Sequence, residues 1–296
     1  MEEEKKNYPR NPFIAFIISL FVPGLGQLYN GKLAKALTLL VITLLIPILF
    51  SYFGNNKTFS GYVLFGLTLI VFRLYIVIDA TISAKRLKLY QTKKENKWYS
   101  YTIFILLSIL ILNFYDLYKI IGVETFTILS TGNSPSLIQG DYVVADLDSY
   151  KNKKPKAGDL IVFIGNDGMK YTYRIVGEPK DTIEMKNNIL FANNTMLKKT
   201  KYGESSFDNM KVKLYDEKTT SGYEYSICNF FEPYPHIERN LDKFEVPENN
   251  YFVLGDNRDN AADSRVIGFV QKENIKGKII FVLWNKQLRR IGQNVR

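Results

Sequence analysis

Tyr251-Phe252-Val253-Leu254-Gly255-Asp256-Asn257-Arg258-Asp259-Asn260-Ala261-Ala262-Asp263-Ser264-Arg265 runs from a short apolar stretch straight into a loop rich in charge. Residues 255–265 hold two Arg, three Asp and two Asn. Short strands ordinarily end in a plain polar turn. Alternating Asp and Arg instead favour charge-assisted, bidentate pairs that fix a loop in one geometry. The plain alternative is a solvated surface loop.

Length and charge bound what surrounds this loop. The chain has 296 residues, enough for one or two domains, and a formal net charge of +10. That charge calls for an anionic neighbour, either a membrane surface or nucleic acid. The first 118 residues carry long apolar runs and no nucleic-acid motif, so the expected partner is a lipid bilayer and not nucleic acid. Cys228 stands alone, which excludes an intrachain disulfide and a Cys-rich metal site. His236 is the one histidine. It sits in Pro233-Tyr234-Pro235-His236, an irregular stretch, and is not expected to be catalytic.

Residues 1–118 read as a membrane region. Residues 13–29 are apolar but broken by Pro23-Gly24-Leu25-Gly26, too short to span a bilayer, which takes about 20 residues. A broken, re-entrant or interfacial hairpin is expected there rather than a cleaved leader. Three clearer spans follow at about 36–53, 61–79 and 101–118. Arg73 is the one charge inside residues 61–78, and either snorkels or pairs with Asp79. Lys85, Arg86, Lys88, Lys93, Lys94 and Lys97 make 80–100 a basic loop, which the positive-inside rule places in the cytoplasm. The third span then runs outward and delivers 119–296 to the outer face. An inverted topology, with 13–29 crossing, is the alternative.

Past residue 118 short β-type runs take over, divided by Gly, Asn, Asp and Pro. Strands are expected at 142–145, 159–164, 170–176, 182–185, 189–192, 210–215, 223–227, 251–254 and 278–283. Asn187-Asn188 reads as a hairpin turn. Residues 200–245 are polar and aromatic-rich, and read as an insertion with its own hairpins. The fold class is thus an N-terminal α-helical membrane region followed by a mainly-β extracytoplasmic domain.

Four stretches, in order, resemble the type I signal peptidase family, peptidase family S26. Ile128-Leu129-Ser130-Thr131-Gly132-Asn133-Ser134-Pro135-Ser136-Leu137, with Gly140-Asp141 after it, resembles the family's nucleophile segment, Ser-Gly-Ser-Met-x-Pro-Thr-Leu. Ala157-Gly158-Asp159-Leu160-Ile161-Val162-Phe163 resembles the next strand. Tyr173-Arg174-Ile175-Val176-Gly177-Glu178-Pro179-Lys180-Asp181 resembles Lys-Arg-Val-Val-Gly-x-Pro-Gly-Asp, which carries the general base. The opening stretch resembles Gly-Asp-Asn-Arg-Asp-Asn-Ser-x-Asp-Ser-Arg. The resemblance covers about 128–283 and implies a signal-peptidase-like β fold with a Ser/Lys dyad. In such a dyad a neutral, buried lysine takes the serine proton, and a backbone N–H with a nearby hydroxyl stabilises the oxyanion. No metal and no organic cofactor is implied.

Carried over residue by residue, the dyad is missing. The nucleophile position is Gly132, the base position Tyr173, and the serine that supports the base is Ala261. A phenol of pKa about 10 is a poor acceptor of a serine proton at neutral pH. The oxyanion-type hydroxyl remains as Ser130. The frame also remains: Pro135, Gly140, Asp141, Arg174, Gly177, Asp256, Arg258, Asp259, Asp263 and Arg265, with Asp263 and Arg265 expected to pair. A shifted dyad of Ser134 with Lys170 is the fallback, opposed by strand geometry, since residues three apart on a strand face opposite sides.

Three readings follow. The first is a non-catalytic homologue in a bacterial cytoplasmic membrane, multi-pass with its β domain outside, binding signal peptides or other secreted chains by strand addition. The second is an active serine endopeptidase that cleaves preproteins through the shifted dyad. The third is an assembly or transport component in which the membrane segments do the work.

Overall fold

The computed structural model describes residues 9–91, 93–207, 209–232 and 238–295; His236 and its neighbours lie outside the described residues. The chain divides into two compact units, Met1–Gly122 and Val123–Arg296.

The first unit is helical: α1 (Pro12–Phe21), α2 (Leu25–Tyr29), α3 (Leu33–Tyr52), α4 (Phe59–Arg86), α5 (Trp98–Phe114) and α6 (Leu117–Ile121). Asn11 caps α1, accepting from Phe13 N–H at 2.9 Å, with Pro12 at the first helical position. At 10 residues α1 is about 15 Å long. It stops at Val22, and Pro23-Gly24 turns the chain into α2. Two amides fasten α2 to α4: Gln27 donates to the Ile76 carbonyl at 2.9 Å and Asn30 to the Ala80 carbonyl at 2.8 Å. Gly26 permits this approach, because a Cβ there would stand 1.9 Å from Ser19 Oγ and 2.8 Å from Ala80 Cβ.

Helices α3 and α4 are long and apolar enough to cross a membrane; α5 is apolar and shorter, at 17 residues. Three sequence expectations change here. The helix expected at 61–79 runs on to Arg86, so the first part of the basic 80–100 segment is helical. The span expected at 101–118 is α5, ending at Phe114, with α6 a separate turn. Arg73 does not pair with Asp79. It donates to the Leu20 carbonyl, one of the groups the end of α1 leaves without a helical partner, while Asp79 takes Lys35 at 2.7 Å.

The second unit contains β1 (Val123–Thr127), β2 (Tyr142–Asp146), β3 (Leu160–Ile164), β4 (Lys170–Gly177), β5 (Thr182–Lys186), β6 (Ile189–Ala192) and β7 (Thr195–Met196). It continues with β8 (Lys198–Phe207), β9 (Met210–Lys218), β10 (Glu224–Phe230), β11 (Leu241–Glu245), β12 (Asn250–Leu254), the short α7 (Ser264–Ile267), β13 (Val270–Gln271) and β14 (Ile275–Trp284). A seven-stranded antiparallel sheet has the order β1-β2-β14-β3-β4-β12-β13. Apolar residues of β3, β4 and β12, among them Ile161, Phe163, Tyr173, Ile175, Tyr251 and Val253, form one buried cluster. A second cluster lies under β2 and β14 with Ile128 and Leu137. The β5–β6 hairpin turns at Asn187-Asn188, both at positive φ (50° and 60°), as a two-residue loop of this twist requires.

The expected insertion has different limits. Strands β8, β9 and β10 form their own three-stranded sheet, but β11 pairs with β5 through Leu241↔Met185 and Phe244↔Ile183. The separate meander therefore ends at β10, and residues 241–245 belong to the sheet of β5, β6 and β7.

Candidate functional site: a signal-peptidase frame around an altered dyad

The loop after β12 turns its charges inward. Asp256, Arg258, Asp259 and Asp263 are all essentially inaccessible to solvent. Arg174 meets Asp256 bidentately, Nε and Nη2 each at 2.7 Å, donates through Nη1 to the Gly158 carbonyl, and stacks 4.4 Å from the Tyr225 ring centre. Asp263 accepts from Arg265 Nε at 2.8 Å and Nη2 at 2.7 Å, and also from Gly255 N–H at 2.9 Å. It thereby ties both ends of the loop and caps α7.

The other two charges reach into the meander. Arg258 pairs with Glu217 of β9, and Tyr225 of β10 donates to the same carboxylate at 2.6 Å. Burial pushes the Glu217 carboxyl up most strongly, but the Arg258 charge, the hydrogen bonds from Arg258 and Tyr225 and the Lys199 charge together hold it below its usual pKa. Asp259 accepts from Asn188 Nδ2, Asn229 Nδ2, Phe230 N–H and Arg239 Nη2, all between 2.8 and 3.0 Å. Lys199, half-buried beside Arg258, has its pKa lowered to about 8 by burial first and the neighbouring guanidinium second. Glu217, Tyr225, Asn229, Arg239 and Lys199 were not singled out from the sequence. A lone Glu in a half-polar strand gives no local sign of the arginine forty residues on.

A second frame holds the turn after β1. Gly140 has φ +86°, and its N–H donates to the Ile128 carbonyl at 2.8 Å. Asp141 next to it is fully buried and accepts from Ile138 N–H, Asn285 Nδ2 and Arg290 Nε. Arg290 also donates to the Ser136 carbonyl. Pro135 and Ser136 line a polar hollow with Tyr225 and Arg290.

Between these frames lie Gly132 and Ala261, two of the positions the resemblance singles out. Asn257 N–H donates to the Gly132 carbonyl at 3.0 Å, and Asn260 Nδ2 to Thr131 Oγ1 at 3.0 Å. Gly255 must be glycine, since a Cβ would meet Gly132 O at 2.5 Å and Ala261 Cβ at 2.3 Å. A Cβ on Gly132 would stand 3.3 Å from the Asn260 carbonyl oxygen, 3.7 Å from Ser130 Oγ and 3.8 Å from Ala261 Cβ. Gly132, Ser130 and Ala261 therefore converge. Ala261 also packs against the cluster that contains Tyr173. Burial raises the Tyr173 phenol to about 12, with the Asp263 charge adding to it, so the group stays protonated at neutral pH.

The fallback pair does not come together. Ser134 is fully buried, with its hydroxyl directed at the Leu137 carbonyl. Lys170 Nζ forms an ion pair with Glu124 at 2.7 Å and lies 4.7 Å from the Phe126 ring centre. Among the described residues no group of three or more His, Cys, Asp or Glu is placed to hold a metal ion.

A cleft of about 500 Å³ runs past Ser130 and Tyr173, lined by 125–130 on one side and by Val162 and 170–173 on the other. Two stretches of its walls are strand edges. β1 pairs only with β2, and β12 pairs with β4 only from Arg174 onward, leaving 170–173 open on that side. Asn133 Nδ2 already occupies one of those groups, the Thr172 carbonyl.

This geometry belongs to a known class. A model of the family described as signal peptidase, peptidase S26, matches residues 97–284, more than half of the chain. The chain belongs to that family. Signal peptidase I of Aquifex aeolicus (strain VF5) is 32% identical over 195 residues, covering 55% of this chain and 76% of that protein. Signal peptidase I of Rickettsia akari (strain Hartford) is 28% identical over 222 residues, covering 66% and 81%. A crystal structure of a signal peptidase I from Enterococcus faecalis V583 is similar at 25% identity with a TM-score of 0.26, covering 43% of this chain and 97% of that one.

Proposed function

We propose that this chain is a membrane-anchored, signal-peptidase-I-like protein that binds extended segments of secreted chains and does not cleave them. The observation that carries the reading is the pairing of an open cleft with an altered dyad. The nucleophile, base and base-supporting positions are Gly132, Tyr173 and Ala261, while every charged residue of the frame is paired. Loss of function from an unused chain would not spare the buried ion pairs, because breaking one costs about 3–5 kcal/mol.

Binding would proceed by strand addition. A segment entering the cleft finds strand edges at 125–127 and 170–173, and each backbone hydrogen bond it forms contributes about 0.5–1.5 kcal/mol. The protein is placed by this reading in a bacterial cytoplasmic membrane, multi-pass, with Lys85, Arg86, Lys88, Lys93, Lys94 and Lys97 inside and residues 123–296 outside.

The test uses the purified full-length protein with a preprotein carrying a photocrosslinker in its signal peptide. Crosslinking at the cleft with no cleavage is expected. Cleavage that is lost in Ser134→Ala or Lys170→Ala would establish the shifted dyad instead. Absence of crosslinking above an unrelated membrane protein would remove the binding role.

A further inference from the structure

We propose that Asn133 latches the cleft: its amide holds the backbone acceptor that a bound strand would use, so a chain gains the 170–173 edge only by displacing it. The proposal rests on the cleft reading above and names the residue that controls access to the same site.

The edge belongs to β4. Ile175 turns both backbone groups toward the β3 side, its N–H donating to the Asp159 carbonyl at 2.9 Å and its carbonyl accepting from Gly158 N–H at 2.8 Å. Strands β3 and β4 pair without a register shift from Leu160↔Arg174 to Ile164↔Lys170. Along an antiparallel strand the direction of the backbone groups alternates from one residue to the next. Those of Thr172 and Lys170 therefore point away from β3, to the edge that β12 covers only from Arg174 onward. The Thr172 carbonyl is the first acceptor on that edge beyond the reach of β12.

Asn133 takes this acceptor. Its Nδ2 donates to the Thr172 carbonyl and to Thr172 Oγ1, the latter at 2.8 Å. The side chain is buried, and the backbone is fixed in a turn, with the Asn133 carbonyl accepting from Leu137 N–H at 2.9 Å. A primary amide carries the same kinds of donor and acceptor as a peptide unit, so it stands in for the N–H of an added strand. The likeness is incomplete. Asn133 Oδ1 is buried with no hydrogen-bond partner among the described residues, whereas a strand pairing with Thr172 would also bring a carbonyl for the Thr172 N–H. A half-satisfied buried amide is a contact that a chain able to satisfy both groups can replace.

A second contact crosses the cleft. Lys170 Nζ, on the same wall as Thr172, pairs with Glu124 of β1 at 2.7 Å and lies 4.7 Å from the Phe126 ring centre. Both members of the pair are partly exposed, and exposed pairs contribute little. The two walls are joined at Thr172 by a buried amide and at Lys170 by an exposed ion pair. The amide is the stronger barrier, because it occupies a backbone group that the entering strand needs.

The experiment uses the full-length protein in lipid nanodiscs and an uncharged, extended Ala-Val peptide with a neutral fluorophore, read by fluorescence anisotropy. Asn133→Leu and the isosteric Asn133→Asp both remove the donor, and each is expected to bind the peptide at least fivefold tighter than the parent protein. In a series of peptides N-methylated at one amide at a time, one should lose this gain, because its methyl replaces the N–H that takes the Thr172 carbonyl. Glu124→Gln, which breaks only the exposed pair, should change binding by less than about twofold. Unchanged or weaker binding by both Asn133 variants, at the parental melting temperature, overturns the latch and leaves the cleft reading in place. A gain that no N-methylated peptide loses, or a larger gain from Glu124→Gln than from the Asn133 variants, overturns it as well. No binding by the parent or by any variant overturns both.

Discussion

Gly132 and Ala261 lie in contact distance, a Cβ on the glycine falling 3.8 Å from the alanine Cβ. A Cβ at 132 has neighbours at 3.3 Å or more and Ala261 already carries one, so hydroxyls should fit there. The triple variant Gly132→Ser, Tyr173→Lys, Ala261→Ser is expected to cleave a preprotein at least 100-fold above the parent protein. The serine requires the Asn260 carbonyl to yield by a few tenths of an ångström. Gly132→Ser alone should stay inactive, because a phenol with pKa about 12 is ionised in only about one molecule in 10⁵ at pH 7. Activity in the single variant and not in the triple would refute this.

The pair of Arg258 with Glu217 is buried on both sides. Glu217→Ala leaves an uncompensated guanidinium and should cost about 3–5 kcal/mol in a urea titration. Replacing both partners together, Glu217→Met with Arg258→Met, should fall within about 1 kcal/mol of the parent or above it. A single variant as stable as the double would mean that the meander does not anchor the loop.

Lys199 gives the protein a pH dependence of defined sign. Its folded pKa is about 8, against 10.5 ordinarily. Between those values the unfolded chain holds a proton that the folded one has released, so stability rises with pH across that window. The shift corresponds to a gain on the order of 3 kcal/mol, complete near pH 10.5 and absent below pH 8. Lys199→Met should flatten the curve, measured as unfolding free energy from pH 7 to pH 10. An unchanged slope in the variant would assign the effect elsewhere.

Membrane topology can be read with cysteines, since native Cys228 is buried. In intact cells an impermeant maleimide is expected to label Lys153→Cys and to leave Lys94→Cys unlabelled until the membrane is opened. Labelling in the opposite order would select the inverted topology.

The charges of 255–265 were legible as partners of something, and the Asp263–Arg265 pair was legible as itself, because its members are two residues apart. The Asn187-Asn188 turn was legible for the same reason: two adjacent residues accept positive φ. Of the two readings of Arg73 only the pair with Asp79 failed, because the chain gives no sign that α1 ends beside that arginine. The limits of the meander were misread too, since residues 241–245 look like their polar neighbours until β5 pairs with them.

The sequence by itself determined the family and the two-part plan, because each is written in contiguous residues whose order carries the information. Only the tertiary structure decided how Gly255–Arg265 is held. Arg258 finds Glu217 at a separation of 41 residues, Arg174 finds Asp256 at 82, and Arg290 finds Asp141 at 149. It also decided that Ser130, Gly132 and Ala261 converge, although Ala261 lies far from the other two in the chain. A buried charge or an unfilled space is defined by what folds against it, and that partner can lie anywhere in the chain.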